Sequence, residues 1–117
     1  MLRFFKATFN TWNGLLAAVR SEEAFRQEIF VFVVAIPVAL FIAPDIWRRV
    51  ALIGVIMLVM VVELLNTAVE KLSDHITLES HPAIGRIKDM GSAAVGLSLL
   101  LAGMVWLVAL GERLGLL

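Results

Sequence analysis

Residues 50–74 read VALIGVIMLVMVVELLNTAVEKLSD. Thirteen apolar or glycine residues, Val50 to Val62, pass without a charge before Glu63, Asn66 and Glu70 interrupt them. At 1.5 Å per residue that run is roughly 20 Å of helix. A helix that enters lipid near Val50 therefore carries Glu63 to just inside the opposite hydrocarbon edge. An ionisable group at that depth is costly and by default marks function. Glu63, Asn66 and Glu70 are spaced i, i+3 and i+7, which at 100° per residue confines them to an arc of about 60°. Asp74 extends the row to headgroup level. A polar seam that only joins helices is the structural alternative, but two carboxylates among three residues on one face favour a site.

The rest of the chain supplies the partners for this helix. Ile29 to Ala43 is apolar over 15 residues, and Ala24 and Phe25 extend it backwards. Pro37 lies inside it, as membrane helices allow, and Pro44-Asp45 makes a tight turn. Ala93 to Leu110 is 18 residues without a charge. A span needs about 20 apolar residues, so the expected transmembrane helices are 24–43, 48–71 and 90–111. Phe4, Phe5, Thr8, Trp12, Leu15, Leu16 and Val19 recur at helical spacing between Arg3, Lys6, Asn10, Asn13 and Arg20. Such a helix, 3–20, suits the membrane surface, with its apolar side in the headgroup boundary. The fold class is therefore an all-α membrane protein, with an interfacial amphipathic helix followed by three transmembrane helices in a single domain, 1–117.

Composition agrees. The chain has 117 residues, 61% of them hydrophobic, and a mean hydropathy of +0.94. So short a soluble chain buries only about two-thirds of its surface, and lipid is the solvent for the excess. Ten basic and ten acidic residues cancel, so charge argues for no nucleic-acid partner. Cysteine is absent, which excludes disulfides, thiol nucleophiles and cysteine metal sites. The first 28 residues lack an apolar core followed by a small-residue cleavage site and read as mature protein. Seven lysines and arginines fall on the side of the N-terminus and three, Arg48, Arg49 and Arg113, on the other. That places the N-terminus and the long polar segment Lys71–Asp89 in the cytoplasm.

Further polar groups can converge on the Glu63 face. Glu22, Glu23 and Glu28 precede the first span and Lys88-Asp89 the third. Glu22 and Glu70 could share Mg²⁺, which is held by one or two carboxylates plus substrate phosphates, with Lys88, Arg3 and Arg86 neutralising the phosphates. Solvated interface charges are the bland alternative. Gly91, Ser92, Ala93, Ala94 and Gly96 leave the start of the third span almost bare, for close helix approach or for a substrate beside Glu63. His75 and His81 have no partner at metal-ligand spacing and read as surface loop residues. Trp12, Trp47 and Trp106 fit interface anchoring. No glycine-rich nucleotide loop of the soluble types is present.

The strings EEAFRQE (22–28), VELLNTAVEKLSD (62–74) and GRIKDMGSAAVG (85–96) together closely resemble the small prokaryotic diacylglycerol kinases over nearly the whole chain. The related undecaprenol kinases share ExxNxxxE and KD, while FRQE and KDMGSAAV tilt the match towards diacylglycerol. The resemblance implies an ATP- and Mg²⁺-dependent lipid kinase of the bacterial inner membrane that works as a homotrimer with shared active sites. Carried over by position, Glu63 is the general base, supported by Asn66. Glu22 and Glu70 hold Mg²⁺ and ATP phosphates, and Lys88 and Arg3 meet phosphates. Asp89 and the stretch Glu79, Ser80, His81 serve the nucleotide, as does Asn10. Better-known members carry tyrosine where this chain has Asn10 and Ser80. Ser92, Arg49 and Trp106 fall on the lipid side. Outside the kinases, a small proton-coupled transporter with Glu63 as proton carrier is the rival, and it predicts no ATP turnover.

Overall fold

The computed structural model describes all 117 residues as four helices: α1 (Leu2–Ser21), α2 (Glu23–Ile42), α3 (Ile46–Ile76) and α4 (Pro82–Arg113). Three of them, α2, α3 and α4, are long and apolar enough to cross a membrane. Only 12 of 117 residues are buried, while Phe30, Phe41, Met57, Leu100, Met104 and Leu107 stand exposed on those helices. That pattern belongs to a bundle solvated by lipid, where every backbone group must be satisfied within the helices.

The two sharp corners show how. Glu22 is extended between α1 and α2 (φ −119°, ψ 107°). There the Arg26 guanidinium reaches back to donate to the Val19 carbonyl at 2.7 Å. At the second corner Arg49 donates to the carbonyls of Ala43 (3.1 Å) and Leu40 (3.2 Å), which α2 leaves open at its end. Asp45 caps α3 by accepting from the Arg48 backbone N–H at 2.8 Å. These arginines explain why a basic pair stands on the membrane side that the charge count makes poorer in positive residues.

Helix α3 packs mainly on α4 and then on α2. The tight point of the core joins Leu52 to Ala39, Ala43 and Ala109, small side chains that let the three helices approach. Trp106 belongs to this packing. Its indole Nε1 donates to the Leu52 carbonyl at 3.0 Å, so it ties α4 to α3 and is not the headgroup anchor its position suggested. Towards the other membrane face α3 and α4 meet at Asn66 and Gly91, where a Cβ on residue 91 would clash with Asn66 Oδ1.

The polar segment 71–89 is not a loop. Helix α3 continues to Ile76 and α4 begins at Pro82, leaving only Thr77 to His81 between them. Hydropathy marks where lipid ends, whereas the helices end where they are capped. Pro82 occupies the first helical turn, where its missing N–H costs nothing. His81 Nδ1 accepts from the Ala83 N–H at 3.2 Å, so this histidine is a cap and more than a loop residue. With 31 and 32 residues, α3 and α4 are roughly 46 and 48 Å long, well beyond a hydrocarbon core of about 30 Å.

Two outcomes follow for stability. Gly91→Ala should cost about 1–3 kcal/mol through overpacking, whereas Gly85→Ala, with open space around it, should be neutral or gain up to about 1 kcal/mol. Because the atom in the way is the side chain of Asn66, the Gly91→Ala penalty should largely vanish in an Asn66→Ala background, a coupling measurable by unfolding in micelles. At the corner between α2 and α3, the Arg48 backbone N–H first, with the Arg48 side chain adding to it, holds the Asp45 carboxyl below its ordinary 3.8. Its contribution is present above the unfolded value and disappears as pH falls through the depressed folded one. Asp45→Ala should therefore lower the melting point at neutral pH and converge on the parent protein as acid titrates the depressed carboxyl of the folded state.

Candidate functional site

Glu63, Asn66 and Glu70 lie on one side of α3 as their spacing requires. Asn66 is buried, because it rests on the bare backbone of Gly91. From there its Nδ2 donates to Glu70 Oε1 at 3.2 Å, which orients the outer carboxylate of the ladder. Its Oδ1 is buried without a hydrogen-bond partner.

Helix α2 brings two more carboxylates to the same place. Glu22, at the corner before α2, and Glu70 both act electrostatically on Glu63, and so does Glu28 one turn and a half along α2. Four carboxylates thus share one region at the membrane edge. Glu28 was named only as a residue able to converge here. The structure sets its carboxylate towards Glu63, with Oε2 buried and unpartnered. No side-chain spacing within α2 signals this, since the partner lies on α3. Beneath Glu28 an apolar cavity of about 180 Å³ opens between α2, α3 and α4, lined by Val31, Ile56, Val59, Met60 and Leu99.

The countercharges stand on the aqueous side. Lys71 Nζ pairs with Glu22 Oε1 at 3.0 Å and also donates to Ser21 Oγ at 3.0 Å. Lys88 on α4 pairs with Asp74 on α3. Both cations and Asp74 are exposed and Glu22 is half-buried, so these pairs are weakly held and open to exchange. Asp89 is exposed next to Lys88, and Ser92 is exposed one residue beyond Gly91. Glu79 and Ser80 lie in the connection, where the Glu79 N–H donates to Thr77 Oγ1 at 3.0 Å, and His81 caps α4.

Other expected site residues are not gathered here. Arg3 and Asn10 share a face of α1, seven residues apart, but are exposed and their side chains make no hydrogen bond or ion pair. Arg49 and Trp106 lie towards the opposite membrane face. Arg49 is 14 residues from Glu63 along α3, roughly 21 Å.

As a donor set the group is all carboxylate oxygen, the chemistry of a hard divalent cation. No three acidic or histidine side chains converge closely enough to cage a metal ion by themselves. What they offer is a partial shell for an ion that brings other oxygen ligands, with half-buried Glu63 among them. The family model described as prokaryotic diacylglycerol kinase matches residues 9–110. The chain belongs to that family. It is 43% identical over 113 residues to the diacylglycerol kinase of Escherichia coli (strain K12), covering 97% of this chain and 93% of that protein. The diacylglycerol kinase of Pseudomonas aeruginosa is 42% identical over 104 residues, 89% of this chain and 85% of its own. That of Helicobacter pylori (strain 26695) is 38% identical over 104 residues, 89% and 81% of the two chains.

Proposed function

We propose that this chain is a lipid kinase that transfers the γ-phosphate of ATP to the hydroxyl of diacylglycerol, giving phosphatidic acid and ADP, with Mg²⁺ as the metal. The observation that carries the reading is the Glu63 group itself: Glu63 and Glu28 towards the hydrocarbon edge, with an apolar cavity beneath Glu28, and Glu22 and Glu70 towards the aqueous edge. An oily alcohol and a charged nucleotide can meet only at such a boundary. The relatives named above support the acceptor.

Glu63 takes the proton of the lipid hydroxyl as its oxygen bonds to the γ-phosphorus and the bond to the β-phosphate oxygen breaks. The cavity below Glu28 would receive the first carbons of an acyl chain, and Ser92, exposed beside Gly91, would meet the glycerol end. Glu22 and Glu70 would hold Mg²⁺, and Asn66 aims Glu70 at it. When bound, Mg²⁺ neutralises phosphate charge, which together with positioning is most of what phosphoryl transfer asks of a protein. Lys88 turns from Asp74 to phosphate, and Glu22 is released by Lys71. Arg3 adds a phosphate contact, while Asp89, Asn10, Glu79, Ser80 and His81 surround the nucleotide. Arg49 and Trp106 serve the lipid side by holding the helices that border it.

The protomer leaves Glu70, Arg3 and Asn10 open to solvent. A homotrimer in which a second copy closes the polar face accounts for that openness. Phe5, Phe9 and Trp12, all exposed on α1, support a helix lying in the interface of the bacterial inner membrane, on its cytoplasmic side.

The test is transfer of labelled γ-phosphate from MgATP in mixed micelles, with diacylglycerol and undecaprenol offered in parallel. Diacylglycerol should be labelled, chelation should stop the reaction and Mg²⁺ restore it. Glu63→Gln should lower turnover by about a hundred- to ten-thousandfold while nucleotide still binds. Asn66→Ala should cost about ten- to a hundredfold by releasing Glu70. Preference for undecaprenol would keep the mechanism and change the acceptor. No transfer to either from folded protein would overturn the reading in favour of proton-coupled transport.

A further inference from the structure

At the membrane face opposite Glu63, the ends of α2, α3 and α4 enclose a cleft of about 590 Å³ that contains Phe41, Arg48, Arg49, Glu112, Arg113 and Leu117. Its charges are unevenly shared. Both nearby carboxylates belong to Arg48, which pairs with Asp45 and donates to Glu112 from Nε at 3.3 Å and from its terminal nitrogen at 3.1 Å. Arg49 spends two of its nitrogens on backbone carbonyls and makes no direct ion pair, although its charge is felt by Asp45. Arg113 makes neither a hydrogen bond nor an ion pair and lies over the Phe41 ring, 5.1 Å from its centroid.

One guanidinium charge, Arg113, is therefore left without a counterion at the edge of the hydrocarbon, with the Arg49 charge adding to the positive potential beside it. A guanidinium resting on an aromatic face keeps its N–H donors free, and their planar fork matches two oxygens of a phosphate. The wall beside it is apolar, with Leu40, Phe41 and Leu117 exposed. A soluble anion gains nothing from that wall, whereas a phosphate attached to acyl chains does. We infer that this cleft binds the headgroup phosphate of an anionic phospholipid of that leaflet, gripped by Arg113 with Arg49 behind it. The site is separate from the phosphotransfer group, roughly 21 Å away along α3, and does not depend on that reading.

The test is native mass spectrometry of the full chain from micelles doped with phosphatidylglycerol, with phosphatidylcholine, or with phosphatidylglycerol plus inorganic phosphate. The parent protein should retain phosphatidylglycerol roughly fivefold over phosphatidylcholine, and Arg113→Gln should remove most of that excess. Arg113 is in the exposed last turn of α4, so the variant should melt with the parent. Arg20→Gln, at the other end of the bundle, should retain lipid as the parent does. Undiminished retention in Arg113→Gln, an equal loss in Arg20→Gln, or equal retention of the two lipids would overturn the proposal. Displacement of phosphatidylglycerol by inorganic phosphate would overturn the lipid source and leave a soluble-anion site.

Discussion

The side chain of Asn66 stands directly on the backbone of Gly91, and that contact sets the spacing of the two longest helices. Were residue 91 to carry a side chain, α4 would have to retreat from α3 or Asn66 would have to turn away. Either change would loosen Glu70, whose carboxylate receives the Asn66 amide. One close approach thus links packing to the orientation of a functional group. In lipid such links matter more than in water, because apolar burial no longer drives helices together and shape and hydrogen bonds must do so.

What this contact holds in place is an electrostatic imbalance. Glu22, Glu28, Glu63 and Glu70 repel one another, and only Glu22 has a cation against it, Lys71. Lys88 is nearby but committed to Asp74. A divalent cation arriving with its phosphates would relieve the repulsion and supply new partners for both lysines. Because the ion pairs are exposed, their exchange costs little. The arrangement favours a ligand that carries both signs, which is what a metal-bound nucleotide is.

The ladder on α3 was legible because two facts suffice for it: the depth of Glu63 after an uncharged run, and the helical period that aligns Glu63, Asn66 and Glu70. The three apolar helices were legible for the same reason of length. The ends of α3 and α4 were not, since 71–89 looks like a loop to any measure that averages hydropathy, while the cap at His81 and the helical turn at Pro82 are single-residue events. Glu28 could be named only as able to converge on that face, and the packing role of Trp106 escaped, because both depend on a neighbour across the bundle. A tryptophan near a membrane boundary can face headgroups or a carbonyl on the next helix, and only packing decides. Arg49 shows the same limit: a charge count sees a misplaced cation, where the fold sees a cap on α2.

Equal numbers of acidic and basic residues conceal how differently the two ends of the bundle are charged. At the Glu63 end carboxylates predominate at the lipid edge, so a phosphate that comes close to them needs a cation between. At the Arg113 end an unpaired guanidinium can meet a phosphate directly. The difference suits what each would have to do. A phosphoryl group in transit must be neutralised and then released, and a mobile cation with exchangeable lysines allows both. A lipid that only seats the protein in its bilayer needs a bidentate grip that nothing displaces, and a rigid fork laid against an aromatic ring supplies one.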